Sequence, residues 1–145
     1  MTSESFELPT NADILLDTSA AIALVLASSE LHGSISKRTH GLILGLSGHA
    51  AFETYSVLTR LPGAQRLSAR TAARVIDENF PATHQLGARA AASALKTIAA
   101  ANIAGGSVYD GLVGLAAKDA GTVLLSCDRR AQPTYAALAV ATEFV

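Results

Sequence analysis

Three short runs of this chain are apolar with no polar alternation: "ILL" at 14–16, "LIL" at 42–44 within "GLILGLS", and "VLL" at 123–125 within "TVLLSC". A strand with one wet face alternates polar and apolar residues; a strand that does not alternate needs cover on both faces. The segments between them carry helical signals. "TSAAIALVLAS" and "LHGSISKR" follow the first run, and "GHAAFETYSVLTRL" follows the second and stops at Pro62-Gly63. "SARTAARVIDENF" reads as a helix from an N-cap at Ser68 to the residue before Pro81. "GARAAASALKTIAAANIAGG" reads as one long helix and "SVYDGLVGLAAKDAG" as another, both closed by glycine. "ATHQL" is a weak strand, "RRAQPTYAAL" a turn or short helix, and "AVATEFV" a last strand. Strands separated by helices specify an α/β domain with a mainly parallel central sheet. We expect one domain over residues 13–145, preceded by a flexible N-terminal extension at 1–12.

The totals narrow the function classes. Half of the 145 residues are apolar, enough for a sizeable core, and the formal net charge of −1 argues against a globally basic nucleic-acid binder. The opening "MTSESFELPTNA" lacks the basic and apolar regions of a signal peptide, and no uncharged apolar run reaches membrane-spanning length. A single cysteine, Cys127, rules out an intrachain disulfide framework. The expectation is a cytoplasmic protein in which Cys127 is a small buried thiol rather than a nucleophile.

Two of the apolar runs end on a carboxylate. Asp17 closes "ILLD" and Asp128 closes "LLSCD". Ligands of open α/β sheets bind beyond the carboxyl ends of the strands. Glu53 falls beside the apolar stripe of its helix, and Asp110 is the only charge between Lys96 and Lys118. Each acid also has an ordinary structural reading. Asp17 is placed to cap a helix, Ser107-x-x-Asp110 matches a capping box, Asp128 suits a turn with an ion pair to the following arginine, and Glu53 is able to reach solvent. Together they suggest one site. Two unit charges ~4 Å apart repel by about 4 kcal/mol at an effective dielectric near 20. Four carboxylates in one crevice therefore call for protons or a cation, and an all-oxygen set suits Mg²⁺ or Mn²⁺. Thr18 or Ser19 is positioned to donate to a neighbouring carboxylate or to phosphate.

The blocks "LLDTSA", "ETYSVLTRLPG", "GGSVYDGLVGLAAKDAG" and "LLSCDRRAQPTY", in this order, resemble the PIN-domain ribonucleases. More narrowly they resemble the toxin subunits of bacterial VapBC toxin–antitoxin pairs. The resemblance runs from about Asp13 to Val145. It implies a PIN-like three-layer sandwich, a Mg²⁺ or Mn²⁺ site, hydrolysis of RNA phosphodiester bonds by water, a homodimer, and a cognate VapB-type antitoxin. Matched position by position, it implies that Asp17, Glu53, Asp110 and Asp128 are catalytic and hold the metal. Ser19 assists, with Thr18 second to it, and Ser126 orients the site. Members of the family begin close to the first strand, so the twelve residues before Asp13 depart from the pattern.

For RNA, the basic candidates are Arg129 and Arg130, next to the acids, and Arg70 and Arg74, which fall on one face of a helix in a segment free of acids from 54 to 76. A solvated helix face is the simpler reading of the last two. His49 and Glu53 are four residues apart but lack the second histidine of a zinc motif, so His49 is read as a polar residue at a helix start. Tyr109 and Tyr135 are candidates for base stacking, with packing the simpler reading. Gly41, Gly45 and Gly48 form no phosphate loop. Two other classes compete with a nuclease. One is a PIN-like module that grips RNA or a protein without cutting. The other is another Mg²⁺-dependent phosphohydrolase, disfavoured because Ser19 stands where a haloacid-dehalogenase-type enzyme has its second Asp.

Overall fold

The computed structural model describes residues 11–145; most of the expected N-terminal extension lies outside the described residues. The elements run β1 (Ile14–Leu16), α1 (Thr18–Val25), α2 (His32–Thr39), β2 (Leu44–Leu46), α3 (Ala50–Thr59), α4 (Ala69–Asn79), α5 (Ala88–Ala100), α6 (Ser107–Ala120), β3 (Leu124–Ser126), α7 (Gln132–Ala137) and β4 (Thr142–Phe144). Short 3-10 turns at Gly63–Gln65 and Arg129–Ala131 complete the set.

The four strands form one sheet in the order β2-β1-β3-β4, and every pairing is parallel. All three residues of β1, β2 and β3 are buried, as unalternating runs require. Successive side chains face opposite layers. Ile14, Leu16, Leu46 and Leu125 pack with Ala20 and Ala21 of α1 and Ile35 of α2. Leu15 and Leu124 pack with Val113 and Ala117 of α6 and Tyr135 of α7. The result is the expected three-layer α/β sandwich, with the sheet between two helical layers.

The weak strand at 82–86 contracts to a bridge. Ala82 N–H donates to Leu44 O at 3.0 Å and His84 N–H to Leu46 O at 3.1 Å, so this segment covers the outer edge of β2. It approaches so closely that a Cβ on Gly45 would lie 2.1 Å from Ala82 O. The long helix expected over 87–106 stops at Ala100, and Asn102 turns into the left-handed region at φ 58° before the glycines are reached. Ser47 Oγ donates to Val113 O at 2.6 Å, fixing α6 against the end of β2. Asp110 lies one turn before that contact.

Candidate active site

Chain order and strand order reverse between β1 and β3: from β1 the chain goes to β2 on one side, and β3 returns on the other. A crevice opens beyond the carboxyl ends at such a switch point. Asp17 follows β1 and Asp128 follows β3, so both stand at its mouth. Glu53 comes from the first turn of α3 and Asp110 from the first turn of α6. These four acids line one pocket of about 250 Å³ together with Thr18, Ser19 and Tyr135. The pocket of about 720 Å³ between α3 and α4 is larger but apolar, and Asp77 is its only acid. It lacks the groups for chemistry.

Asp17 is 4% exposed and fully engaged. Its Oδ1 accepts from Ser19 Oγ at 2.6 Å and from Ala20 N–H at 3.0 Å, and its Oδ2 accepts from Tyr135 Oη at 2.9 Å. It therefore does cap α1, and the capping role and the pocket role are held by one residue. Ser19 Oγ also accepts from Cys127 N–H at 2.9 Å and stands 3.4 Å from Ser126 Oγ, which accepts from Asp128 N–H at 3.0 Å. Thr18 Oγ1 donates to Glu53 Oε2 at 3.3 Å. The two hydroxyls after Asp17 thus serve different carboxylates.

Glu53 Oε1 is buried without a hydrogen-bond partner; His49 Nε2 stands 3.7 Å away. Burial, then the charges of Glu53, Asp128 and Asp17, push the Asp110 carboxyl up to about 6. Asp128 Oδ1 accepts from Arg130 N–H at 3.0 Å, capping the 3-10 turn, and Arg130 Nε lies 3.4 Å from the same oxygen. The turn reading of Asp128 is borne out, but the ion pair is with Arg130 and not with the adjacent Arg129. Arg129 instead lies over the Phe144 ring, 5.5 Å from its centroid. The capping box at Ser107-x-x-Asp110 is not formed: Gly106 is the N-cap of α6 and no side chain closes it. Asp110 is free to face the pocket.

Among the described residues, no three Asp, Glu, His or Cys side chains converge on one ligating point. The acids ring the pocket because like charges separate and because Asp17 and Asp128 are turned toward N–H and O–H donors. Their chemistry still fits a hard divalent cation. All donors are oxygens, Glu53 offers an unpaired buried oxygen, and Asp110 resists ionisation beside three other acids.

Arg130 is 94% exposed at its side chain and Arg129 is also exposed, both at the β3 side of the pocket. Arg70 and Arg74 are exposed on α4 and do not line the pocket; Arg74 Nε is 4.0 Å from Glu78 Oε1. Cys127 is half-buried rather than buried, and burial and Asp17 push its thiol up to about 11, consistent with an unreactive side chain. Sequence reasoning missed the part of Tyr135 in the pocket. No local signal reveals it, since 118 residues separate it from Asp17.

The model of the PIN domain matches residues 14–137, which include all four acids and Tyr135. The chain belongs to the PIN-domain family. Two curated relatives come from Mycobacterium tuberculosis. Ribonuclease VapC27 is 39% identical over 127 residues, covering 88% of this chain and 93% of the relative. Ribonuclease VapC40 is 41% identical over 104 residues, covering 69% of this chain and 75% of the relative. The crystal structure of FitAcB from Neisseria gonorrhoeae superposes with a TM-score of 0.67 at 18% identity, over 89% of this chain and 95% of that one. The likeness to FitAcB supports the three-layer α/β fold.

Proposed function

We propose that this PIN domain is a Mg²⁺- or Mn²⁺-dependent endoribonuclease, the toxin of a toxin–antitoxin pair held in check by a cognate VapB-type antitoxin. The observation that carries the reading is four carboxylates around one switch-point pocket, one with an unpaired buried oxygen and one with its ionisation suppressed. The ribonuclease names of both relatives support the activity, and their VapC names support an antitoxin partner.

Asp17, Glu53, Asp110 and Asp128 would hold the cation. When bound, the cation polarises the scissile phosphate and lowers the pKa of the attacking water. Ser19 and Tyr135 fix the Asp17 carboxylate from both of its oxygens, and Thr18 fixes Glu53. Arg129 and Arg130 offer phosphate contacts at the pocket rim, whereas Arg70 and Arg74 would meet only RNA that extends across α4. No helix among the described residues is long and apolar enough to cross a membrane. From the family resemblance alone we propose a cytoplasmic homodimer.

The test is cleavage of total cellular RNA by folded wild type and Asp17→Asn, with Mg²⁺ or Mn²⁺ and with EDTA. Discrete fragments that need both the metal and Asp17 are expected. RNA binding without cleavage would favour a non-catalytic module, and cleavage by Asp17→Asn would remove Asp17 from the reaction.

A further inference from the structure

The pocket has two unlike flanks. The strand order puts the end of β2 on one side of Asp17 and the end of β3 on the other. The β3 side carries Arg129 and Arg130. The β2 side carries a cluster of rings at the starts of α3 and α6. His49 and Tyr109 are stacked, with centroids 5.3 Å apart and planes 23° from parallel, and Phe52 is tilted against His49 at 6.2 Å. Tyr109 is 53% exposed and Phe52 63% exposed, and Phe52 also lines the apolar groove between α3 and α4. Tyr109 directly precedes Asp110, Phe52 directly precedes Glu53, and His49 Nε2 lies 3.7 Å from Glu53 Oε1. The rings thus neighbour two of the four acids along the chain and stand outside the lining of the pocket itself, with His49 as their contact to Glu53.

From this juxtaposition we propose that Tyr109, stacked on His49 and flanked by Phe52, is a base-stacking platform for the nucleotide next to the scissile phosphate. The inference rests on the nuclease reading and adds a binding site to it. The physical need is plain. Outside the cation itself, the acids of the pocket repel the substrate's backbone, and Arg129 and Arg130 on the far flank offset that. A nucleobase carries no charge, and its stacking on an exposed ring is a sequence-tolerant attraction that the acids do not oppose. Aromatics on one flank and guanidinium groups on the other set the strand's path across the ends of β2, β1 and β3. Tyr135, the other tyrosine considered for stacking, is 1% exposed and cannot serve.

The experiment compares wild type, Tyr109→Ala and Tyr109→Phe at matched Tm. The probes are a short fluorescein-labelled single-stranded RNA of mixed sequence and an abasic strand with the same backbone. Binding is read by anisotropy in Ca²⁺, with cleavage of the RNA in Mn²⁺ read alongside. Tyr109→Ala should bind the RNA about tenfold more weakly, while Tyr109→Phe stays within about twofold of wild type. The abasic strand should bind wild type and Tyr109→Ala equally. Unchanged RNA affinity in Tyr109→Ala overturns the platform, as does an equal loss in Tyr109→Phe. Loss of a dimer by light scattering with RNA affinity unchanged would assign the rings to a second copy of the chain instead. Wild type that neither binds nor cuts RNA overturns the nuclease reading itself, whereas equal cutting by wild type and Tyr109→Ala sinks only the platform.

Discussion

Tyr135, on the last helix, donates its hydroxyl to Asp17, at the end of the first strand, across 2.9 Å of a buried contact. Burial and the neighbouring Asp17 drive the phenol far above its ordinary pKa, so it remains a donor at every working pH. Tyr135→Phe keeps the ring in the core and removes only this bond. Losing a hydrogen bond to a charged buried group costs about 1.5–3 kcal/mol. The variant should unfold at lower urea, bind Mn²⁺ more weakly by calorimetry, and lose kcat more than it gains KM. Unchanged Mn²⁺ affinity would reduce Tyr135 to packing.

Asp110 works against the fold. With its pKa raised from 3.8 to about 6, the folded chain holds this proton more tightly than the unfolded chain does. Stability of the metal-free protein therefore falls as pH rises between those two values and stays reduced above them. Asp110→Asn should stabilise the protein in EDTA at neutral pH by ~1 kcal/mol, discounted for the partial exposure of the group. The gain should vanish in acid, whereas the variant should fail to cut RNA at every pH. Thermal melts across pH check the sign, and a destabilised Asp110→Asn would contradict it.

Gly45 leaves no room for a methyl group. A Cβ there would press 2.1 Å against Ala82 O and push the 82–84 segment off β2. Gly45→Ala should cost about 2–3 kcal/mol and speed amide exchange at Ala82 and His84, whose N–H groups bond to β2. The folded fraction should cut RNA more slowly, because Glu53 lies on α3 directly after β2 and Gly48 N–H bonds to His84 O in the displaced segment.

Arg129 and Arg130 should act through the substrate's charge. Each substitution to Ala should weaken RNA binding and lower the slope of log affinity against log salt by about one. Tm should hardly move, since the Arg130–Asp128 pair is exposed and worth little. A salt slope identical to wild type would place the phosphates elsewhere.

The layers of the fold were legible because buried parallel strands lack alternation, and "ILL" and "VLL" show it plainly. Asp17 and Asp128 were legible for the same reason: a carboxylate that ends such a run must face the strand ends. The N-cap at Ser68 and the left-handed Gly121 closing α6 also follow from local chemistry. What local chemistry could not show was contact between distant segments. Tyr135 reaches Asp17 only because α7 folds back under the pocket, and Ser47 reaches Val113 only because α6 crosses the end of β2. The end of α5 was misplaced for a different reason. Asn102 adopts the left-handed turn, so the helix stops before the glycines that mark a stop in the sequence.

Ser19 holds the ends of β1 and β3 together, donating a hydrogen bond to Asp17 and accepting one from Cys127 N–H. A pocket clasped in this way behaves as a fixed socket rather than a jaw. A protein that silences it has little leverage to spread its walls. On the proposed reading, an inhibitor would act as a plug shaped to the socket, and escape would depend on how fast the plug withdraws.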